Sequence, residues 1–259
     1  MEDEKASFGL KAINEAWKDT CRVVLRGEIG ELDGYAGYLT KYLEKRLERK
    51  SAISGKSVVV ASAPFCKSAK FLSNDEMEEF NSRMRKEKLG INDIKDIDSA
   101  VQALGEKLYY GGNIFRGKST EVYDSDLCLN SSFIYKSSDI YDSKYIGYSC
   151  DTRYGNSLFG CSWVGECQYV LKGYEIYQQT RCMDTLRTYI ATDCYYVANL
   201  EECNGCMFSF NQRTKRNLIG NIALPKDEYA RLRDKLIDEL RETIMRKKTL
   251  PSIVDIIGE

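Results

Sequence analysis

The sequence predicts an α+β protein: a mixed helical N-terminal part, a single-stranded β-solenoid (β-helix) with coils of about 22 residues, and a C-terminal capping helix. Three observations carry that expectation. After Gly112 the charge thins out, and Tyr, Ser, Cys, Gly and Asn dominate up to about residue 222. Written in rows of 22 from Tyr123, this stretch lines up with itself. Beyond it, from Pro225, apolar residues recur at helical spacing. The expected parts are residues 1–112, 113–222 and 223–259.

Within the first part, Ile13, Ala16, Trp17, Cys21, Val24 and Leu25 recur at i, i+3 and i+4, which predicts a helix over 8–25. Leu32, Tyr35, Leu39, Tyr42, Leu43 and Leu47 suggest a second helix over 31–50. Ser54-Gly55 ends this unit, SVVVAS at 57–62 reads as a strand, and a short strand follows over 70–72. Ser73 with Glu76 three residues later is a capping box, so a helix starts there and runs to about Lys88. A further helix is expected over 94–108.

In the central stretch Tyr123, Tyr145, Cys167 and Tyr189 share one column of the 22-residue rows. Cys128, Cys150, Lys172 and Cys194 share another, and Cys161, Cys182 and Cys203 step by 21. Steps of this size suit one turn of a solenoid with four to five coils and stacked interior ladders. The competing arrangement is a Greek-key sandwich with accidental spacing. The last coil needs a cover, and the stripe Tyr229, Leu232, Leu236, Leu240 and Ile244 supplies an amphipathic helix from Pro225 to Lys247. Arg246, Lys247 and Lys248 suit the negative end of its dipole, and Pro251 stops it.

Composition narrows the function. Charged residues make up 30% and cancel to a net charge of -1, so no global field draws the protein to nucleic acid or membrane. No apolar run approaches the roughly 20 residues that span a bilayer, and MEDEKASF lacks a signal-peptide layout. A cytoplasmic location is the expectation. The ten cysteines then read as reduced thiols or metal ligands. The absence of histidine removes imidazole bases and imidazole zinc ligands.

Gly112-Asn-Ile-Phe-Arg-Gly117-Lys118-Ser119 matches the phosphate-binding pattern G-x4-G-K-[ST]. That chemistry needs a preceding strand and a following helix, whereas TEVYDSDLC reads as strand, so a nucleotide-hydrolase reading is only an alternative. Cys203-Asn-Gly-Cys206 is a C-x2-C knuckle, and Cys182 and Cys194 are the nearest candidates to complete a four-thiolate zinc site. The simpler reading places these thiols in solenoid ladders, with no cofactor. Arg153, Glu166, Arg181 and Asp184 could line a binding groove, supply a pair of acids for a carboxylate-based hydrolytic enzyme, or simply form one solvated face.

Three basic clusters complete the inventory: Lys41, Lys45, Arg46, Arg49 and Lys50; Arg213, Lys215 and Arg216; and Arg241, Arg246, Lys247 and Lys248. Such clusters contact phosphate backbones or simply solubilise a surface.

Several stretches resemble a group of archaeal Cys- and Tyr-rich solenoid proteins of unknown function. They are Asn92–Ser99, Gly112–Ser119, Cys203–Asn211, Ile219–Asn221 and Leu250–Ile253. The resemblance implies an intracellular protein that is not an enzyme, and it carries no catalytic residue. The expected function is therefore a non-enzymatic scaffold that forms a homodimer and docks onto a larger assembly, most specifically a ribosome or RNA.

Overall fold

The computed structural model describes residues 2–61, 69–88, 90–91, 94–105, 107–186 and 188–258. Helix α1 (Glu2–Val24) is followed by a 3-10 turn (Leu32–Tyr35) and a single helical turn, α2 (Ala36–Leu39). Strands β1 (Leu47–Lys50) and β2 (Ser57–Val60) pair antiparallel, and β3 (Lys70–Ser73) pairs in parallel with β4 (Tyr109–Gly112). Between β3 and β4 lie α3 (Met77–Met84) and α4 (Ile97–Gly105). The capping box forms as expected: the Ser73 amide donates to Glu76 Oε2 at 2.8 Å. Residue 62 of the expected strand, with Asn92 and Asp93, lies outside the described residues.

The second expected helix is overturned. Helix stops after Leu39, and Leu47–Lys50 is a strand. The apolar stripe that suggested a helix is buried in two different places: Leu32, Tyr35 and Leu39 under α1, and Leu47 against Val58, Val60 and Phe71.

From Phe115 to Ile219 the chain forms a parallel β-solenoid of about eight coils. Its period is a correction. Lys144 pairs with Asn156 and with Ser132, so one coil is 12 residues, not about 22. A coil consists of two four-residue strands joined by tight corners, as at Ser132–Tyr135 and Ser138–Tyr141. Cys128 and Cys150, aligned by the longer period, occupy different columns: Cys128 stacks on Ile140, and Cys150 on Ser138. The side chains of Cys167 and Tyr189 lie outside the described residues.

Two ladders fill the flattened interior. Ile134, Ile146, Leu158, Val170, Cys182, Cys194, Cys206 and Leu218 are buried at 12-residue spacing on one side, opposite Cys128, Ile140 and Leu200. The corners belong to small residues. Ser125, Ser137 and Ser149 form one corner column, with Ser119, Ser131 and Ser143 along the other. Each of the enclosed hydroxyls donates to the carbonyl two residues earlier, as Ser131 does to Leu129 at 2.8 Å, and accepts the amide one coil later, as from Ser143 at 3.2 Å. This satisfies backbone groups that a sharp corner would otherwise bury unpaired.

The tight coil also imposes an unusual backbone, in its strands as well as at its corners. From Glu121 to Ser157 every third residue has positive φ, including Leu127, Phe133, Tyr145 and Tyr154. Only glycine, asparagine and aspartate take this conformation readily. The parallel ladder over-determines the rest.

Helices α1 and α5 (Lys226–Lys247) cover one flank of the solenoid. Ile13, Trp17 and Cys21 of α1, with Tyr229, Ile237 and Ile244 of α5, share a core with Phe159, Leu171, Met183, Tyr195 and Met207 of successive coils. Trp17 meets Phe159 edge-on at 5.3 Å and donates from Nε1 to the Gly30 carbonyl at 2.9 Å. The C-terminal helix therefore forms where expected, but it packs along the flank, with Tyr229 beside Gly205 of the penultimate coil and the helix also touching the final strand, Arg216–Ile219. Arg241 donates to the Leu25 carbonyl at 3.0 Å, and Lys248 to the Tyr35 hydroxyl at 2.8 Å. The final coil is instead closed in part by a short antiparallel return, Ile222–Ala223 on Arg216–Ile219. At the other end the β1–β4 unit covers the first coil, joined by Asp126, whose carboxylate accepts from the Ala61 and Ile114 amides at 2.8 Å each.

Among the described residues no helix is long and apolar enough to cross a membrane.

Candidate functional site: a buried lysine–aspartate pair

Lys172 and Asp184 occupy equivalent positions on paired strands of adjacent coils, both at positive φ (63° and 51°), and both face the segment that follows α5. That segment includes the last helix, α6 (Ile253–Gly258). Lys172 is 5% exposed and Asp184 2%. Their charged groups are 3.6 Å apart.

Asp184 fastens the C-terminal segment. Its Oδ1 accepts from the Ser252 hydroxyl at 2.7 Å and the Ile253 amide at 2.9 Å, and Oδ2 accepts from Tyr38 at 3.2 Å. The Lys172 ammonium sits over the rings of Tyr38 and Tyr42 at 4.6 and 4.8 Å. A second carboxylate works in the opposite sense: Asp255 accepts from Lys41 at 2.7 Å, from the Tyr42 hydroxyl and from the Ser252 amide at 2.9 Å.

Burial sets the electrostatics. It pushes Lys172 below its ordinary value against the opposing attraction of Asp184. It pushes Asp184 above the usual carboxylate range, opposed by Lys172, Ser252, Ile253 and Tyr38. Hydrogen bonding to Lys41 and then Tyr42 holds Asp255 well below that range. A perturbed lysine–carboxylate pair is a pattern found at active sites and in structural ion pairs alike. Here the adjoining cavity, bounded by Tyr42, Gly160, Thr185 and Val254, holds about 20 Å3, room for one water rather than a substrate.

The residues singled out from the sequence scatter. Gly112 is the buried end of β4, packed so close to Val58, Val59 and Val60 that no side chain would fit. Gly117 and Lys118 form an exposed corner, the Lys118 amide donates to Asn130 at 3.2 Å, and Ser119 opens a serine column. A strand, Thr120–Tyr123, follows instead of a helix, so the phosphate-loop geometry is absent and the nucleotide reading is withdrawn.

Cys182, Cys194 and Cys206 stack in one inner column, while Cys203 lies in a corner column. Cys194 donates to the Thr192 carbonyl at 3.2 Å and Cys203 to the Glu201 carbonyl at 3.2 Å. Sulfur-to-sulfur contact raises the Cys194 thiol and lowers that of Cys206. Among the described residues no three Cys, Asp or Glu side chains are grouped to hold a metal ion, so the four-thiolate zinc arrangement does not form.

Arg153 stacks on Tyr141 at 5.3 Å, Arg181 pairs with Asp193 at 3.8 Å, and Asp184 is enclosed. They make no common groove, and the Glu166 side chain lies outside the described residues.

The first basic cluster is divided: Lys41 pairs with Asp255, Arg46 donates to the Asp124 carbonyl, Arg49 stacks on Phe71, and Lys45 and Lys50 are exposed. Arg213 pairs with Glu201, whereas Lys215 and Arg216 face solvent. Arg241 and Lys248 are used internally, and Arg246 and Lys247 are exposed. Arg246 and Lys247 lie 17 and 18 residues beyond Tyr229, about 26 Å along the helix at 1.5 Å per residue.

No protein-family model, curated protein or solved structure matches this chain, so no family is assigned to it. A 22-residue period puts Lys172 in a column with Cys128, Cys150 and Cys194 and hides its pairing with Asp184. At the 12-residue period Lys172 and Asp184 fall next to each other, and an unlike-charge pair on a ladder is the signal that would have found them.

Proposed function

We propose that the protein is a non-enzymatic binding scaffold that self-associates through its final coil. The observation that supports this most directly is an open strand edge beside an apolar groove. Strand Phe210–Arg213 pairs on one side with Ala198–Glu201 and, among the described residues, with no strand on the other. Among the described residues its Phe210 end is blunted, where Asn221 accepts the amide at 2.9 Å and donates to the carbonyl at 3.0 Å. Phe210 and Ile256, each 49% exposed, line a groove of about 330 Å3 with Ala198, Phe208 and Ile253. Unpaired edges template further strand pairing, and a two-fold copy presents the same edge back.

Light scattering over a concentration series tests this. A dimer that becomes a monomer in Phe210→Asp and Gln212→Pro, with unchanged circular dichroism, supports the scaffold reading. A wild-type monomer at the highest attainable concentration overturns it.

Docking to a ribosome or RNA is the finer part of the proposal, in line with the archaeal resemblance and an intracellular setting. It rests on the exposed Lys45, Lys50, Lys215, Arg216, Arg246 and Lys247. Contacts to phosphate weaken steeply with salt. Co-purification of ribosomal RNA that is lost at higher salt supports docking, and nucleic-acid-free protein at low salt ends it.

A further inference from the structure

The Lys172 Nζ and the Thr185 Oγ1 are both enclosed, and no hydrogen bond reaches either atom. They border the same cavity under the C-terminal segment. An ammonium group brings three directional donors. Asp184 at 3.6 Å offsets its charge, but that separation is too long for a hydrogen bond. The rings of Tyr38 and Tyr42 attract the cation without offering a strong acceptor. The Asp184 oxygens already accept from Ser252, Ile253 and Tyr38. The hydroxyl of Thr185 is in the same position. At the equivalent register position of other coils Ser137 and Ser149 donate to a carbonyl two residues back, and Thr185 does not.

Buried donors without partners are strongly disfavoured, and native proteins pair them with protein groups or with ordered water. A cavity needs about 10–15 Å3 to hold one water, and two to four polar partners to keep it. This one has about 20 Å3, and Lys172 and Thr185 border it from adjacent coils. We propose that the cavity is a binding site for a single water molecule, which accepts from Lys172 Nζ and from the Thr185 hydroxyl. One of the water's hydrogens faces the Asp184 carboxylate, so the bound molecule closes a network from the solenoid to the C-terminal segment. This proposal is independent of self-association.

A high-resolution crystal structure of the wild type and of Thr185→Val tests it. The expected result is a discrete peak about 2.7–3.2 Å from both Lys172 Nζ and Thr185 Oγ1, lost in Thr185→Val, a change of nearly equal volume. A dry cavity in the wild type, or Lys172 bonded directly to Asp184 with no peak, overturns the proposal. In solution, urea midpoints of Thr185→Val, Lys172→Met and the double variant give a second reading. A shared water makes the double variant's shift smaller than the sum of the single shifts. Additive shifts overturn the water bridge. Should Lys172→Met fail to fold, the two crystal structures decide alone.

Discussion

The Ser149 amide donates to the Ser137 hydroxyl, one coil earlier, at 3.1 Å, and that hydroxyl donates onward to the Tyr135 carbonyl at 2.8 Å. Both residues are buried. The contact links coils through a side chain at the corner, where the strand ladder is interrupted. Replacing Ser137 by alanine leaves the Ser149 amide enclosed without an acceptor. The expected cost is about 1–3 kcal/mol, read as a lower urea midpoint with unchanged slope. An unchanged midpoint would show that the corner relaxes to admit solvent.

Ile190 illustrates the opposite case. It is β-branched, sits at φ 47° and is 45% exposed. Its side chain pays conformational strain with little burial in return. Ile190→Asn should raise stability by about 1 kcal/mol, since asparagine tolerates this conformation. Equivalent corners at Asn130 and Asp142 already carry such residues, linked at 3.2 Å. Thermal denaturation decides, and a lower midpoint would mean that Ile190 contributes packing that its exposure conceals.

Asp139 should make stability depend on pH. Burial, reinforced by Asp151, Asp126 and Glu44, pushes its carboxyl up to about 6. An unfolded aspartate titrates near 3.9. Between those values the folded state holds the extra proton, so the contribution of Asp139 to stability increases as pH falls from about 6 to about 4. Asp139→Asn should stabilise the protein at pH 7 by about 1–2 kcal/mol, after allowance for partial exposure, and less at pH 4. The comparison with wild type matters because Asp255, held low by Lys41 and Tyr42, acts with the opposite sign. Equal effects of the substitution at pH 4 and pH 7 would contradict the prediction.

Asp184→Ala removes three acceptor contacts at once and leaves Lys172 buried without its counter-ion. A loss of about 3–5 kcal/mol is expected. Hydrogen exchange locates it: the Ile253 amide, which donates to Asp184 at 2.9 Å, should lose protection before the α5 amides do. Uniform loss of protection would mean that the C-terminal segment is not a separate unit.

Much of this fold was legible in the sequence, and the exceptions have physical causes. The capping box at Ser73 and Glu76 and the stripe from Tyr229 to Ile244 gave α-helical structure where it occurs, because each is a local signal. The solenoid showed itself through composition. Its period did not, because cysteine and tyrosine occupy several different columns, so matching them by type produced spacings of 21 and 22. The serines at 119, 125, 131, 137, 143 and 149 recur at half the true coil and were the better guide. The expected helix over 31–50 failed because its apolar residues serve two separate cores, a tertiary fact that helical spacing cannot reveal. The lysine–aspartate pair depended on the period and was lost with it.

The 12-residue register gives the solenoid the properties of a ruler with a half-step mark. Removing a whole coil, for example 132–143, shortens the stack by one strand spacing of about 4.8 Å and leaves every remaining side chain on its own face. Removing only six residues keeps the interior apolar, because Ile134 and Ile140 both point inward, yet it turns all later coils over by half a revolution. Length variation in steps of 12 is therefore neutral to the architecture, whereas a step of six would carry Lys172, Asp184 and the segment they hold to the far side of the molecule.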